Sequence, residues 1–124
     1  MGYILPENSL SESIFMDKYA YPGENSWKEL SKRVAKAAAD PEFPEDREKV
    51  EKNFFDAINS GDFCPGGRIL FGAGRSRQNM LNCYVLDPED SVDSIGKVIS
   101  DMYKISCGGG GIGFNFSKIR PKGD

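Results

Sequence analysis

The sequence predicts an α/β fold, with an N-terminal segment of about three helices followed by one β-α-β unit. In the first half, apolar residues recur at helical spacing. In the second half, two short runs of β-type composition flank an amphipathic segment. A single β-α-β unit usually belongs to a larger parallel sheet. We therefore expect a helical domain at 1–64 and, at 65–124, the start of a larger, incomplete α/β domain.

The three predicted helices have recognisable start and stop signals. Ser9 and Ser26 are each followed three residues later by a glutamate, the pattern of a capping box. The second helix should end just before Pro41, because a residue that precedes proline avoids the helical region. The third helix is predicted from about residue 45 to residue 59, with Gly61 as its C-terminal stop.

The second half alternates short apolar runs with glycine-rich turns. Residues 68–71 are predicted as a strand or as irregular structure, and 81–86 as a buried strand. Residues 91–106 have the apolar spacing of a helix with an acid near its start. Residues 112–117 alternate in the period of a strand. This order, strand, helix, glycine turn and strand, is the basis of the predicted β-α-β unit.

Composition and charge exclude several classes of function. The chain has 124 residues and a formal net charge of −3, so no basic stripe is available to neutralise nucleic-acid phosphates. No apolar run is long enough to span a bilayer, and the N-terminus does not have the pattern of a signal peptide. The three cysteines are odd in number and widely spaced, which favours a reducing compartment, and we expect the cytoplasm.

The absence of histidine limits the chemistry further. Without it, the chain alone cannot form a Ser-His-Asp triad, a Cys-His dyad or a histidine metal site. No CxxC motif occurs either, and we predict no metal site. Any catalysis must use cysteine, carboxylates and backbone groups, or be shared with another chain or segment.

The stretch CGGGGIGFNFS at 107–117 contains a formal match to the dinucleotide-binding pattern G-x-G-x-x-G. We reject that interpretation, because the motif should follow a strand and open a helix, whereas here a helix ends and a strand begins. Two interpretations remain open. The glycine amides could form a nest that holds an anion. Alternatively, the run is a helix stop and a tight turn.

Cys83 also has two open interpretations. A free cysteine in a strand mostly behaves as a small buried hydrophobe, whereas reactivity needs an access route or a shifted pKa. The acids at 87–90 read most simply as a solvated turn, and Arg120 as a surface charge.

Four stretches, taken together, resemble the catalytic subunit of ribonucleotide reductase. They occur in the order found in that family and cover nearly the whole chain: IFMDKYAYPGENSWKEL, FCPGGRILFGAG, NCYVLDPEDSVDSI and GGGGIGFNFSKIRPKGD. The YAYPGE opening and the GGRIL-GAG segment favour the adenosylcobalamin-dependent (class II) branch.

The resemblance implies that the chain takes part in thiyl-radical reduction of ribonucleotides to deoxyribonucleotides. Cys83 matches one cysteine of the redox pair that reduces the substrate. Asn82 matches a position beside the substrate ribose, and Gly110 and Gly111 match backbone positions that approach the substrate diphosphate. Cys107 matches no catalytic cysteine of the family.

An allosteric site is implied as well. Asp90 matches an acid that contacts the sugar of a deoxynucleoside triphosphate effector, and Ser91 belongs to the same site. Arg120 matches a basic residue near the effector phosphates. The helix at 91–106 would pack against its twin in a homodimer, and a thioredoxin or glutaredoxin-type reductant would serve the assembled enzyme.

Most of the family's machinery would lie outside this sequence. The family barrel has ten strands, of which the chain would supply two or three, and the radical cysteine and second redox cysteine would lie beyond residue 124. We therefore expect the isolated chain to be inactive and to work with the remainder of the reductase chain, as a split gene product, a segment before an intein or an engineered fragment. The alternatives are a non-catalytic nucleotide-sensing or dimerisation module and a class I large-subunit fragment. Diphosphate and triphosphate substrates both remain open.

Overall fold

A computed structural model describes residues 9–76 and 79–123 of the chain. It divides into two compact units, the first ending at Met80 and the second beginning at Leu81. The first unit is helical and the second contains a two-stranded parallel sheet with one helix. This arrangement confirms the predicted order of a helical region followed by a β-α-β unit. Residues 1–8, which carried the prediction that no signal peptide is present, lie outside the described residues.

In its described residues, the first unit contains four α-helices and one π-helical turn. In chain order they are α1 (Leu10–Ile14), the π-helical turn (Phe15–Tyr19), α2 (Trp27–Ala39), α3 (Pro44–Ser60) and α4 (Gly67–Gly72). The predicted cap of α1 is present, because the Ser9 hydroxyl accepts a hydrogen bond from the Glu12 amide at 3.1 Å. The predicted cap of α2 is present too, since the Ser26 hydroxyl accepts from the Glu29 amide at 3.3 Å.

The Glu29 carboxylate completes the start of α2. It accepts hydrogen bonds from the Asn25 amide at 2.7 Å and from the Ser26 hydroxyl at 3.0 Å. These two hydrogen bonds lower the pKa of Glu29 from its ordinary value, and the bond from the Asn25 amide has the larger effect. The helix ends at Ala39, as the proline at position 41 predicted.

The third helix also has the predicted stop. Gly61 adopts the left-handed conformation with φ of 85° and donates its amide hydrogen to Ile58 at 3.1 Å. The Trp27 indole donates to the same Ile58 carbonyl at 2.9 Å and so ties the start of α2 to the end of α3. The core of this unit is formed by buried side chains from four elements and from the residue that follows α4: Phe15, Leu30, Val34, Ile58, Leu70 and Ala73.

The prediction for residues 68–71 is wrong, because this segment is helical rather than a strand or irregular structure. The Gly66 carbonyl accepts from the amides of Ile69 and Leu70 at 2.8 and 3.1 Å, which opens the short helix α4. Leu70 is buried in the helical core. For that reason the two units divide after Met80, and this division does not coincide with the domain boundary predicted between residues 64 and 65.

A largely buried ion pair stabilises the first unit. Arg33 Nε donates to Glu24 Oε1 at 2.6 Å, and both side chains are only 12% exposed. The remaining Arg33 nitrogens donate to backbone carbonyls of three residues: Tyr19, Leu70 and Ala73. One guanidinium therefore joins α2 to α4 and to the π-helical turn.

The second unit consists of β1 (Cys83–Leu86), α5 (Val92–Cys107) and β2 (Gly111–Phe114). The strands are parallel, with Cys83 opposite Gly111 and Leu86 opposite Phe114. Both strands are shorter than predicted. The expectation that the first strand is buried is also wrong in the described residues, because Cys83 and Val85 are exposed in this two-stranded sheet. No helix in the described ranges is long and apolar enough to cross a membrane.

Candidate functional site

The first candidate site lies where both strands of the parallel pair begin. The Gly111 amide donates to the Asn82 carbonyl at 2.7 Å, and Cys83 is the register partner of Gly111. A Cβ built on Gly111 would lie 3.7 Å from the Cys83 sulfur. The structure therefore brings Asn82 and Cys83 next to the end of the glycine run, although the two segments are separated by the whole of α5.

The glycine run itself terminates α5 by the Schellman arrangement. Gly109 adopts the left-handed conformation with φ of 75°. All four consecutive glycine amides donate to carbonyls within the chain: Gly108 to Lys104, Gly109 to Ser106, Gly110 to Ile105 and Gly111 to Asn82. These amides are therefore used inside the fold, and the structure favours the helix-stop interpretation over an anion nest built from them.

Gly110 lacks a side chain for a packing reason. A Cβ at this position would lie 2.7 Å from Ile105 Cγ2 on α5 and 2.7 Å from Tyr84 Cε2 on β1. Both distances are shorter than real Cβ contacts, so a larger residue would push the helix end away from the strand. Gly111 is different, because its nearest contacts are of ordinary van der Waals length. The two neighbouring glycines thus have different roles.

Cys83 has a free, exposed thiol, which is at odds with the interpretation of an inert core cysteine. Cys64 and Cys107 are also free and exposed, so exposure alone does not distinguish the three. What distinguishes Cys83 is its place beside Gly111, where the absence of a side chain leaves room next to the sulfur. The resemblance assigned the redox role to this same cysteine.

The second candidate site lies beyond the C-terminal ends of the two strands. Arg120 Nε donates to Asp90 Oδ2 at 2.6 Å, so the two residues assigned to the effector site form an ion pair. Ser91, the third predicted effector residue, caps α5 by accepting a hydrogen bond from the Ser94 amide at 3.2 Å. Both Asp90 and Arg120 are partly solvent-accessible, so neither is sealed from a ligand.

A second cation lies beside this pair. Lys118 Nζ contacts Asp87 Oδ2 at 2.9 Å and Glu89 Oε1 at 2.5 Å. Hydrogen bonds to Glu89 and then to Asp87 raise the pKa of Lys118 above its ordinary value. We call the contacts of Lys118 and Arg120 with Asp87, Glu89 and Asp90 the charged clasp. It holds the segment after β2 against the loop after β1.

Sequence reasoning missed Lys118 and the packing role of Gly110. The sequence did contain a signal for Lys118. It lies two residues before Arg120, and these two positive charges complement the negative charges of the 87–90 turn. The contact of Gly110 with Tyr84 could not be read from local sequence. Within residues 9–76 and 79–123, no group of three or more His, Cys, Asp or Glu side chains is arranged to hold a metal ion.

Comparison with known proteins assigns both units to one family. The family model described as ribonucleotide reductase, all-alpha domain, matches residues 7–78, and the ribonucleotide reductase barrel domain matches residues 81–124. Their junction falls at the division between the two structural units. The chain belongs to the ribonucleotide reductase family, as the four sequence stretches predicted.

Individual relatives refine this assignment. The vitamin B12-dependent ribonucleoside-diphosphate reductase of Thermoplasma acidophilum is 37% identical over 71 residues, which is 57% of this chain and 9% of that protein. The protein of the same description from Mycobacterium tuberculosis is 29% identical over 110 residues, 87% of this chain and 16% of the relative. Ribonucleoside-diphosphate reductase subunit alpha of Bacillus subtilis is 31% identical over 80 residues, 64% of this chain and 11% of the relative.

The relatives are much longer than this chain. The chain spans less than a fifth of the length of these curated proteins. The similarity is consistent with an N-terminal segment of a class II-like reductase, since two of these three relatives are described as vitamin B12-dependent.

Proposed function

We propose that this chain forms the N-terminal part of a reductase that converts ribonucleotides to deoxyribonucleotides by thiyl-radical chemistry. The observation that carries the proposal is the pairing of Cys83 with Gly111 inside the segment that matches the reductase barrel. An exposed thiol next to an open glycine position leaves room for a substrate sugar. The remainder of the reductase supplies the other strands of a ten-stranded barrel and the radical cysteine.

The proposed role of Cys83 is that of a two-electron donor acting with a second cysteine from the remainder of the enzyme. The 2′ hydroxyl of the ribose leaves as water, and a hydrogen takes its place on the 2′ carbon. The two thiols supply the two electrons and two hydrogens and become one disulfide. An external thioredoxin or glutaredoxin-type dithiol then reduces this disulfide and is itself oxidised. Exposure of Cys83 in this unit is compatible with access by both substrate and partner thiol.

The strand register supports the proposed substrate contacts. Gly111 admits the substrate because it has no side chain, while its amide remains bound to the Asn82 carbonyl. Gly110 supports this surface by allowing Ile105 of α5 and Tyr84 of β1 to pack closely. Asn82 is proposed to lie beside the ribose. Ribonucleoside diphosphates and triphosphates both fit this proposal.

Adenosylcobalamin is the proposed cofactor, and it would supply the radical that starts the reaction. No residue of this chain is assigned to it, because Cys83 and the glycine run are proposed to face a ribonucleotide. We therefore assign cofactor binding to the remainder of the enzyme. The isolated chain would then be inactive, and the assembled enzyme would function in a reducing compartment such as the cytoplasm.

The second unit also supplies the proposed allosteric surface. Asp90, Ser91 and Arg120 would bind a deoxynucleoside triphosphate effector. α5 exposes an apolar stripe at helical spacing, consisting of Val92, Ile95, Ile99 and Tyr103. This stripe is the proposed homodimer contact, where the helix would pack against its copy and place the effector across the interface.

The class I alternative also has an observation in its favour. The Bacillus subtilis relative is described as a subunit alpha and is 31% identical over 80 residues of this chain. In that case a separate radical-generating subunit would replace adenosylcobalamin. The contribution of Cys83 and of the effector residues would be the same in both classes.

Activity of the complete enzyme that carries this chain tests the proposal. We expect Cys83→Ser to lower kcat by about 10³-fold or more, since a catalytic group that acts as part of a unit cannot be replaced by its neighbours. Cys107→Ser is the matched control and should leave kcat within about two-fold, because this exposed thiol lies outside the strand pair. Full activity of Cys83→Ser would contradict the catalytic role and favour a nucleotide-sensing module. Activity without adenosylcobalamin would favour the class I alternative.

A further inference from the structure

The charged clasp contains a contact that a phosphate group could take over. Arg120 uses its Nε to hold Asp90 Oδ2 at 2.6 Å. Guanidinium groups bind carboxylate and phosphate through the same fork of N–H donors. The Asp90 carboxylate therefore occupies a donor of Arg120 that a phosphate oxygen would otherwise use.

The exchange would be easy, because the Arg120–Asp90 pair is on the surface. The Arg120 side chain is 58% exposed and that of Asp90 is 32% exposed. Ion pairs in such positions contribute little free energy, since water and salt screen them. A polyphosphate with several negative charges can thus compete with a single carboxylate for Arg120.

We propose that nucleotide binding at this site is an exchange of ion-pair partners. In the empty site Asp90 neutralises Arg120. When an effector binds, its phosphates take Arg120, and the released Asp90 carboxylate accepts a hydrogen bond from the sugar hydroxyl. This inference rests on the proposed function of the site and adds a mechanism to it. Asp90, which would bind the sugar hydroxyl, also pairs with the phosphate-binding Arg120 while no nucleotide is bound.

Lys118 keeps the exchange local. Its contacts with Asp87 and Glu89 hold the segment after β2 against the loop after β1 while Arg120 changes partner. The Arg120 side chain therefore stays close to Asp90 in both states. A ligand with phosphates but no sugar would leave the Asp90 carboxylate beside like charges with no donor to accept from.

This arrangement predicts selectivity against bare polyphosphate. Asp90 competes with any anion for Arg120. Only a ligand with a sugar offers a hydroxyl that can donate a hydrogen bond to the Asp90 carboxylate after Arg120 has left it. Replacing Asp90 with asparagine removes the competing charge and should strengthen the binding of a polyphosphate. The same change removes a charged acceptor for the sugar hydroxyl, so the preference for nucleotide over polyphosphate should shrink.

Isothermal titration calorimetry of the chain with inorganic tripolyphosphate tests the exchange. Asp93→Asn is the matched control, because it removes one exposed carboxylate from the first turn of α5 and leaves the contacts of the charged clasp intact. From the strength of exposed ion pairs, we expect Asp90→Asn to tighten tripolyphosphate binding about two- to five-fold and Asp93→Asn to change it less than about 1.5-fold. Circular dichroism of each variant checks that the fold is retained.

The same titrations with dATP, dCTP, dGTP and dTTP separate this inference from the proposed function. Equal effects of Asp90→Asn and Asp93→Asn on tripolyphosphate binding, or no binding by any variant, would overturn the exchange. Wild-type chain that binds none of the four deoxynucleotides would contradict the effector site itself. Tight deoxynucleotide binding together with equal effects of the two variants would leave the effector site standing and remove only the exchange.

Discussion

Cys83 and Gly111 lie directly opposite each other in the parallel strand pair, and a methyl group on Gly111 would lie 3.7 Å from the Cys83 sulfur. This relationship depends on the β-α-β connection, which returns the chain alongside β1 after α5. It gives the thiol a neighbour without a side chain. Cys64 lies in the other unit and Cys107 at the end of α5, so neither has a place in this strand pair.

The two neighbouring glycines should respond differently to the same substitution. Gly110→Ala places a methyl group 2.7 Å from atoms of both Ile105 and Tyr84, and we expect the unit to lose about 1–3 kcal/mol of stability through overpacking. Gly111→Ala makes only ordinary contacts and should change stability by less than about 1 kcal/mol. Hydrogen exchange of the amides in α5 and β2 measures both effects within this unit.

Gly111→Ala therefore serves as the control for Gly110→Ala. For the activity of the complete enzyme, Gly111→Ala should instead be the more damaging substitution. Its new methyl group would occupy space beside the Cys83 sulfur. The account would be contradicted if Gly111→Ala lost hydrogen-exchange protection in α5 while Gly110→Ala kept it. The close packing at Gly110 would then not determine where α5 ends.

Arg33 should be the most sensitive charged position of the helical unit. Arg33→Ala leaves the nearly buried Glu24 carboxylate without its cation and removes the Arg33 donors to the Leu70 and Ala73 carbonyls, whereas the Tyr19 carbonyl keeps its hydrogen bond from Arg75. Breaking a buried pair in this way typically costs about 3–5 kcal/mol. The single tryptophan, Trp27, lies in this unit, so urea unfolding followed by its fluorescence reports on the helical unit alone.

Arg47→Ala is the matched control for Arg33. Arg47 donates to the carbonyls of Asp40 and Glu42 at 2.8 and 3.2 Å, but it is exposed, so its loss should cost less than about 1 kcal/mol. Similar destabilisation by both variants would contradict the role of Arg33 as the residue that joins α2, α4 and the π-helical turn.

The cap of α2 should make stability depend on pH in the acid range. Hydrogen bonds from the Asn25 amide and the Ser26 hydroxyl lower the folded-state pKa of Glu29 below its ordinary value of 4.5. Because the folded-state pKa is lowered, the ionised Glu29 carboxylate stabilises the fold above pH 4.5. This stabilisation is lost as the pH falls through the folded-state pKa. The urea midpoint of wild type, measured by Trp27 fluorescence, should therefore approach that of Glu29→Gln as the solution is acidified.

Glu48→Gln controls for general charge effects, since it removes one exposed carboxylate from α3. Its difference from wild type should not follow the titration of Glu29. A difference between wild type and Glu29→Gln that stays constant from about pH 7 to about pH 3, on either side of the ordinary Glu29 pKa of 4.5, would contradict the capping account.

The apolar stripe of α5 should control self-association. Ile99→Asp places a charge in the middle of the proposed homodimer contact, where it would be buried without a partner. We expect the dimer dissociation constant to rise at least about ten-fold, measured by sedimentation velocity. Ser100→Asp adds the same charge to the neighbouring helix face and should leave association unchanged. Equal sedimentation of both variants and wild type would exclude the stripe as the contact.

The elements that could be predicted from sequence are those with local signals. Ser9, Ser26 and Gly61 act within one turn of their own helix, so their roles could be read from spacing alone. The helix α4 was missed because a short apolar run has no period that distinguishes a helix from a strand. Its conformation is set by packing of Leu70 in the helical core.

The candidate sites were predictable only in part. The resemblance identified Cys83, Asp90 and Arg120 as residues of interest, but their partners depend on the fold. The ion pair between Asp90 and Arg120 joins residues on either side of α5 and β2. The contacts that exclude a side chain at Gly110 come from two elements that only the parallel β-α-β arrangement brings together. Local sequence does not contain this information.

A single-turnover thiol-trapping experiment tests the central claim most directly. The complete enzyme carrying this chain is given ribonucleotide without an external reductant, quenched with an alkylating reagent and digested for mass spectrometry. The account predicts that Cys83 becomes protected from alkylation in proportion to the deoxyribonucleotide formed, whereas Cys64 and Cys107 stay fully alkylated. Product formation with Cys83 still fully alkylated would contradict its assignment as a redox cysteine of this reductase.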